Sequence, residues 1–145
     1  AQGGLPTVPV SIAGERFVLE VADDPATMYR GLGGRTAIPR NGGMLFVYDA
    51  PRPLAFVMRD CVIPIDIAFL DAEGRVLNTH TMPPEPPRRP GESAAAYEAR
   101  LPAYRSAGPA QYAIELAAGR LAELALTPGT RIPLPSTKGS GSPVN

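Results

Sequence analysis

The sequence predicts a mainly β fold, an antiparallel sandwich or barrel with two or three short helices, at the margin of α+β. Three observations predict it. Short apolar runs outnumber helix-like stretches, and the breaks between them are brief and rich in the chain's 15 glycines and 18 prolines. No regular alternation of strand and helix, of the kind that builds a parallel sheet, is present.

The elements follow in order. Val8 to Ala13 and Arg16 to Ala22 are strand-like and separated by Gly14-Glu15, a hairpin turn. In the second run Phe17, Leu19 and Val21 recur at every other position, the period of a half-buried strand. Asp24 then offers a helix N-cap and Pro25 a first helical residue. The helix carries Met28, Tyr29 and Leu32, and Gly33-Gly34 ends it. Met44 to Tyr48, Leu54 to Arg59 and Ile65 to Leu70 read as three strands, and Asp71 to Gly74 as a hairpin turn into Arg75 to His80.

Met82 to Pro109 holds seven of the 18 prolines and is excluded as a central strand. Within it Ser93 to Arg100 fits two turns of helix. Gln111 to Leu116 is another strand, Ala117 to Leu126 a helix, and Thr130 to Leu134 a last short strand after the turn Thr127-Pro128-Gly129. Residues 1–135 thus form one β-rich domain. Residues 136–145, rich in Ser and Gly, are expected to be a flexible tail.

Composition narrows the function classes. The 145 residues carry 14 basic and 14 acidic side chains, and no basic stripe of the kind nucleic acid needs. No apolar run approaches the roughly 20 residues of a membrane span. Cys61 is the sole cysteine, so no intrachain disulfide forms. The start Ala1-Gln2-Gly3-Gly4 suits either a trimmed fragment or a chain from which a signal peptide has been removed.

Candidate site residues come from the segment Phe56 to Phe69. Asp66 lies in a strand whose two faces are both apolar, so its carboxylate is expected to be buried, and a buried charge needs a partner. Arg30, on the helix after Pro25, is the expected partner in an ion pair tying helix to sheet. The competing reading makes Asp66 a pocket floor or a general base. Arg59, Asp60 and Cys61 fall at a strand end before Pro64, and Tyr104, Arg105 and Ser106 border the proline-rich loop. Cys61, His80 and an aspartate permit a nucleophile sketch, as they would in any chain with one Cys and one His. His80 has no companion at metal-ligand spacing, and no metal or cofactor is expected. Glu115 alternates with Ile114 and Leu116 and is either solvent-facing or a second arginine partner.

Read together, Met28-Tyr29-Arg30-Gly31-Leu32, Gly43-Met44-Leu45-Phe46-Val47, the Phe56 to Asp66 segment and Gln111 to Gly119 resemble the domain of unknown function 192 family (DUF192). The resemblance spans roughly Val8 to Leu134 and marks Arg30, Met58, Arg59, Asp60, Pro64, Asp66, Tyr104, Ser106 and Glu115 as family positions. Gly33-Gly34 stand where the family has a methionine and an aromatic, and Val57 replaces a tryptophan. Asp60-Cys61 replace a common asparagine–threonine, Arg105 a common proline, and Pro86 to Arg100 resembles an insertion. The resemblance implies a β-rich domain, often found behind an export signal in bacteria, and brings no established reaction, cofactor or substrate.

The functional expectation is therefore an exported or periplasmic, non-catalytic domain that binds a small polar or anionic ligand or a peptide. Its groove would lie between Met58–Cys61 and Tyr104–Ser106, with Arg59, Asp60, Tyr104, Arg105 and Ser106 as contacts. The alternatives are a hydrolase-like enzyme using Asp60 or Asp66 as general base, and an accessory protein whose proline-rich loop docks a partner.

Overall fold

A computed structural model describes residues 4–135. The expected flexible tail, 136–145, lies outside the described residues. Among the described residues eight strands form: β1 (Thr7–Ile12), β2 (Glu15–Ala22), β3 (Met44–Arg52), β4 (Ala55–Phe56), β5 (Ile65–Leu70), β6 (Val76–Met82), β7 (Tyr104–Arg105) and β8 (Ala110–Ala117). Three short helices accompany them: α1 (Pro25–Arg30), α2 (Ala94–Arg100) and α3 (Arg120–Glu123).

Six strands make one sheet in the order β1-β2-β3-β8-β5-β6, and β4 and β7 pair separately. The sheet is open, with β1 and β6 at its edges, so the barrel alternative does not hold. All of its neighbours are antiparallel except β2 and β3. A parallel pair cannot be joined by a hairpin and needs a crossover. The chain from Asp23 to Gly43, including α1, supplies it, and this puts α1 over one face of the sheet. Asp24 caps α1, its Oδ1 accepting from the Thr27 N–H at 2.9 Å, and Pro25 opens the helix.

Alternation sorts the apolar residues into two cores. Phe17, Leu19, Leu45, Ala68, Ile114 and Leu116 pack on one face with Leu121, Leu124 and Ile132. Met44, Phe46, Ile65, Ile67, Phe69 and Ala113 pack on the other with Leu32, Leu54 and Met58. β5 is buried along its whole length, as its doubly apolar sequence predicts. Edge-to-face contacts link Phe46, Phe56, Phe69, His80 and Tyr104 in a chain, with centroids 4.9, 5.6, 6.0 and 5.5 Å apart.

Three elements differ from expectation. Leu54 to Arg59 forms only the two residues of β4, because β7 offers a partner no longer than that. The last strand reduces to a single bridge, Arg75 with Arg131. The helix expected from Ala117 starts at Arg120, since β8 continues to Ala117 alongside Ile65.

Candidate functional site

Asp66 is buried as expected, but its partners are not those expected. Its Oδ1 accepts from the Thr81 hydroxyl at 2.8 Å, and its Oδ2 accepts from the backbone N–H groups of Gly119 at 2.9 Å and Leu121 at 3.0 Å. Asp66 thereby satisfies orphan donors at the start of α3 and fastens that turn to the sheet. Among the described residues no Arg30–Asp66 ion pair forms, and Arg30 is exposed at the end of α1. The physical reason is local. Three hydrogen bonds from a neighbouring strand and a helix N-terminus stabilise the carboxylate without a guanidinium.

The groove expected between Met58–Cys61 and Tyr104–Ser106 is closed by structure. Phe56 pairs with Tyr104 and Ala55 with Arg105. The Ser106 hydroxyl accepts from the Leu54 N–H at 2.9 Å and donates to the Gly108 carbonyl at 2.7 Å. Arg105 presents its carbonyl to Asn78 and His80 and leaves its guanidinium exposed. His80 is thus engaged at Arg105, while the Cys61 thiol donates to the Arg59 carbonyl at 3.5 Å. Burial pushes that thiol up to about 11, the opposite of an activated nucleophile.

Arg59 is engaged at each of its three guanidinium nitrogens. Its Nε and Nη2 donate to the Glu98 carboxylate of α2 at 2.5 and 3.0 Å, and its Nη1 donates to the Tyr29 carbonyl at 3.2 Å. Its guanidinium lies 3.9 Å from the Tyr29 ring centroid. Asp60 sits exposed in a left-handed turn (φ 59°), its N–H donating to the Tyr97 hydroxyl at 2.8 Å. Its carbonyl accepts from Gly34, so the glycine turn after α1 is tied to this loop. The proline-rich excursion therefore folds inward. Arg100 holds it by donating to the carbonyls of Pro86 and Pro87 and to Glu92, and α2 clamps the 59–60 loop.

What opens instead is a hollow of about 260 Å³ between α1 and the sheet. Met28, Arg30 and Leu32 come from the α1 region, Phe46 and Tyr48 from β3, and Phe56, Arg59 and Cys61 from β4 and its loop. Glu115 of β8 also lines it. Glu115 shares a face with Ala113 and stands between Met44 of β3 and Ile67 of β5, in the middle of an apolar layer. It is 5% exposed, and its side chain has no hydrogen-bond or ion-pair partner among the described residues. Among the described residues no fully sealed side-chain polar atom lacks a partner, so the unpartnered Glu115 oxygens are not sealed and face the hollow that Glu115 lines. Burial alone raises this carboxyl to about 8 and keeps it protonated at neutral pH.

Neither sequence reading of Glu115, solvent-facing or arginine-paired, matches this position. Two signals pointed to it: an acid alternating against Ile114 and Leu116 beside an apolar Ala113, and its place among the family positions. Among the described residues no group of three or more His, Cys, Asp or Glu side chains could hold a metal ion.

An open, mostly antiparallel sheet, crossed over by a short helix that roofs a pocket with a buried acid, defines the class of protein: a small β-rich domain with one face turned into a small-molecule-sized hollow. The chain belongs to DUF192, a family described as an uncharacterised ACR, which it matches over residues 8–134. It is similar to a protein of unknown function from Novosphingobium aromaticivorans, with 30% identity, a TM-score of 0.75, and coverage of 91% of this chain and 88% of that one. It is also similar to a candidate transcription regulator from Sinorhizobium meliloti, with 26% identity, a TM-score of 0.70, and coverage of 88% and 91%. No curated protein matches it. Among the described residues no helix is long and apolar enough to cross a membrane.

Proposed function

We propose that this chain is a non-catalytic, exported binding domain that takes a small polar ligand in the hollow beneath α1. The observation that carries the reading is Glu115, a buried carboxyl with no partner among the described residues, facing a preformed space walled by Phe46, Tyr48 and Phe56. A buried polar group left without a partner costs about 1–3 kcal/mol, which a ligand offering the missing hydrogen bond recovers. Small-molecule sites combine apolar walls with few convergent polar groups in this way. Equal numbers of acidic and basic side chains argue against a nucleic-acid partner. The export reading rests on the family resemblance, and fractionation of cells expressing the full-length gene tests it.

Ligand-observed NMR with a library of small polar fragments tests the binding reading. Fragments that bind the wild type and are lost on Phe46→Trp, which fills the hollow, support it. A library silent on the wild type refutes it.

A second reading has one observation in its favour. A carboxyl near pH 8 in a pocket is also what a general acid–base catalyst needs, and among the acids considered only Glu115 has that character. Asp66 is taken up by three donors and Asp60 is exposed. An enzyme of this kind would lose turnover on Glu115→Gln while retaining substrate binding.

A further inference from the structure

We propose that the ligand of this hollow is a small primary monoamine with an apolar body, its ammonium seated on Glu115 and its body against Phe46 and Phe56. The inference rests on the binding reading above and names the chemistry of the ligand.

The floor argues for a cation. Glu115 lines the hollow, and among the described residues its carboxyl makes no hydrogen bond or ion pair, with Arg30 and Arg59 of the same lining included. Arg59, a wall residue, is held in a two-point grip by Glu98 and stacked on Tyr29. An anionic ligand seated at Glu115 would set its own charge against an unpaired acid, while Arg30 and Arg59 stand elsewhere in the lining. An ammonium would supply the missing hydrogen bonds and, as Glu115 ionises on binding, form a charge-assisted pair, about twice as strong as a neutral one. The walls agree, because aromatic rings attract a desolvated cation. The hollow, at about 260 Å³, suits one ring and a short arm rather than a chain. The rim argues for a single amine, since Arg30 and Arg59 both stand in the wall and would repel a second positive charge.

Protons balance in a definite way. At neutral pH the free pocket holds Glu115 as a carboxylic acid. Seating an ammonium leaves the amine charged, ionises Glu115, and releases one proton to solvent. The ionisable groups that line the hollow with Glu115 are Tyr48 on β3, Arg59 and Cys61 on the loop after β4, and Tyr29 and Arg30 on α1, with Asp60 beyond Cys61; its cross-strand neighbours Met44 and Ile67 carry none. Burial pushes Tyr48 and Cys61 upward, so both stay neutral over the range tested.

The test uses three probes of one shape on the full chain: benzylamine, benzyl alcohol and benzoate. Calorimetry is run at about pH 6.5 and 7.5 in buffers of different ionisation enthalpy, with NMR following the resonances of Phe46 and Phe56. The expected result is benzylamine bound at least about tenfold tighter than the other two. Its affinity should rise up to about tenfold over that pH interval, with one proton released per site. Glu115→Gln should weaken benzylamine by about tenfold or more and leave benzyl alcohol unchanged. The proton release is read on the wild type, so the assignment stays testable even if that variant fails to fold. Benzoate or benzyl alcohol binding as well as the amine, with no proton released, would overturn the amine assignment and leave the hollow as a binding site. Silence from all three at millimolar concentration would overturn the amine assignment, and the fragment library on Phe46→Trp would then decide whether the hollow binds anything.

Discussion

The carboxylate of Asp66 accepts a hydrogen bond from the backbone N–H of Leu121 at 3.0 Å, across 55 positions of the chain. The same oxygen accepts from Gly119, and its neighbour accepts from Thr81, so one side chain joins β5, β6 and the start of α3. Its substitutions separate charge from connectivity. Asp66→Asn keeps an acceptor for the two backbone donors and loses the charge assistance, and should cost about 1–2 kcal/mol in urea unfolding. Asp66→Ala removes all three hydrogen bonds and strands the buried Leu121 N–H, and should cost about 3 kcal/mol. Equal losses for the two variants would contradict the arrangement.

Glu115 predicts a pH-dependent stability with a definite sign. Its carboxyl ordinarily titrates near 4.5 and is raised to about 8 by burial in the folded chain. Between those values the folded state holds a proton that the unfolded state has released. Its contribution is therefore full below about pH 4.5 and declines as pH rises toward 8. The decline is on the order of 4 kcal/mol. Glu115→Gln has no such group, so its stability relative to wild type should increase from about pH 5 to about pH 8. A constant difference between the two proteins across that window would contradict a buried, protonated Glu115.

Gly43 predicts a steric effect at the same place. It has φ 141°, and a Cβ there would stand 2.2 Å from the Glu115 carbonyl oxygen and 2.9 Å from Leu116 Cδ2. The first of these is backbone in the middle of the sheet and cannot rotate away. Gly43→Ala should destabilise by about 3 kcal/mol or more, measured by thermal or urea unfolding. Gly34→Ala is the control. It also has positive φ but open space around the added methyl, and should cost only about 1 kcal/mol.

Cys61 predicts an inert thiol. Burial moves it from 9.0 to about 11, so the thiolate fraction at about pH 7.5 falls roughly 100-fold. Iodoacetamide should label the native protein at least tens of times more slowly than the urea-unfolded chain. Labelling at equal rates would mean that the thiol is neither buried nor shifted.

The strand content, the two apolar faces and the burial of Asp66 follow from periodicity along the chain, while the family is legible in its spaced motifs. A side chain's face is set by its own neighbours, two residues away on either side. Partners are set otherwise. Arg30, on the helix after Pro25, is the cation the sequence offers Asp66, yet the donors come from Thr81, Gly119 and Leu121, which meet only when β6 and α3 close around β5. A buried carboxylate needs donors of any kind, and sequence does not say whether a guanidinium or the backbone supplies them. Arg59 likewise reads as a free ligand contact until α2 folds back and Glu98 takes it. Glu115 shows the division most clearly. Its alternation placed it on one face of β8. Only the strand order β3-β8-β5 made that face the centre of the sheet, and only the crossover through α1 left a hollow above it. Desolvation by residues far apart in the chain then decides the charge of the acid.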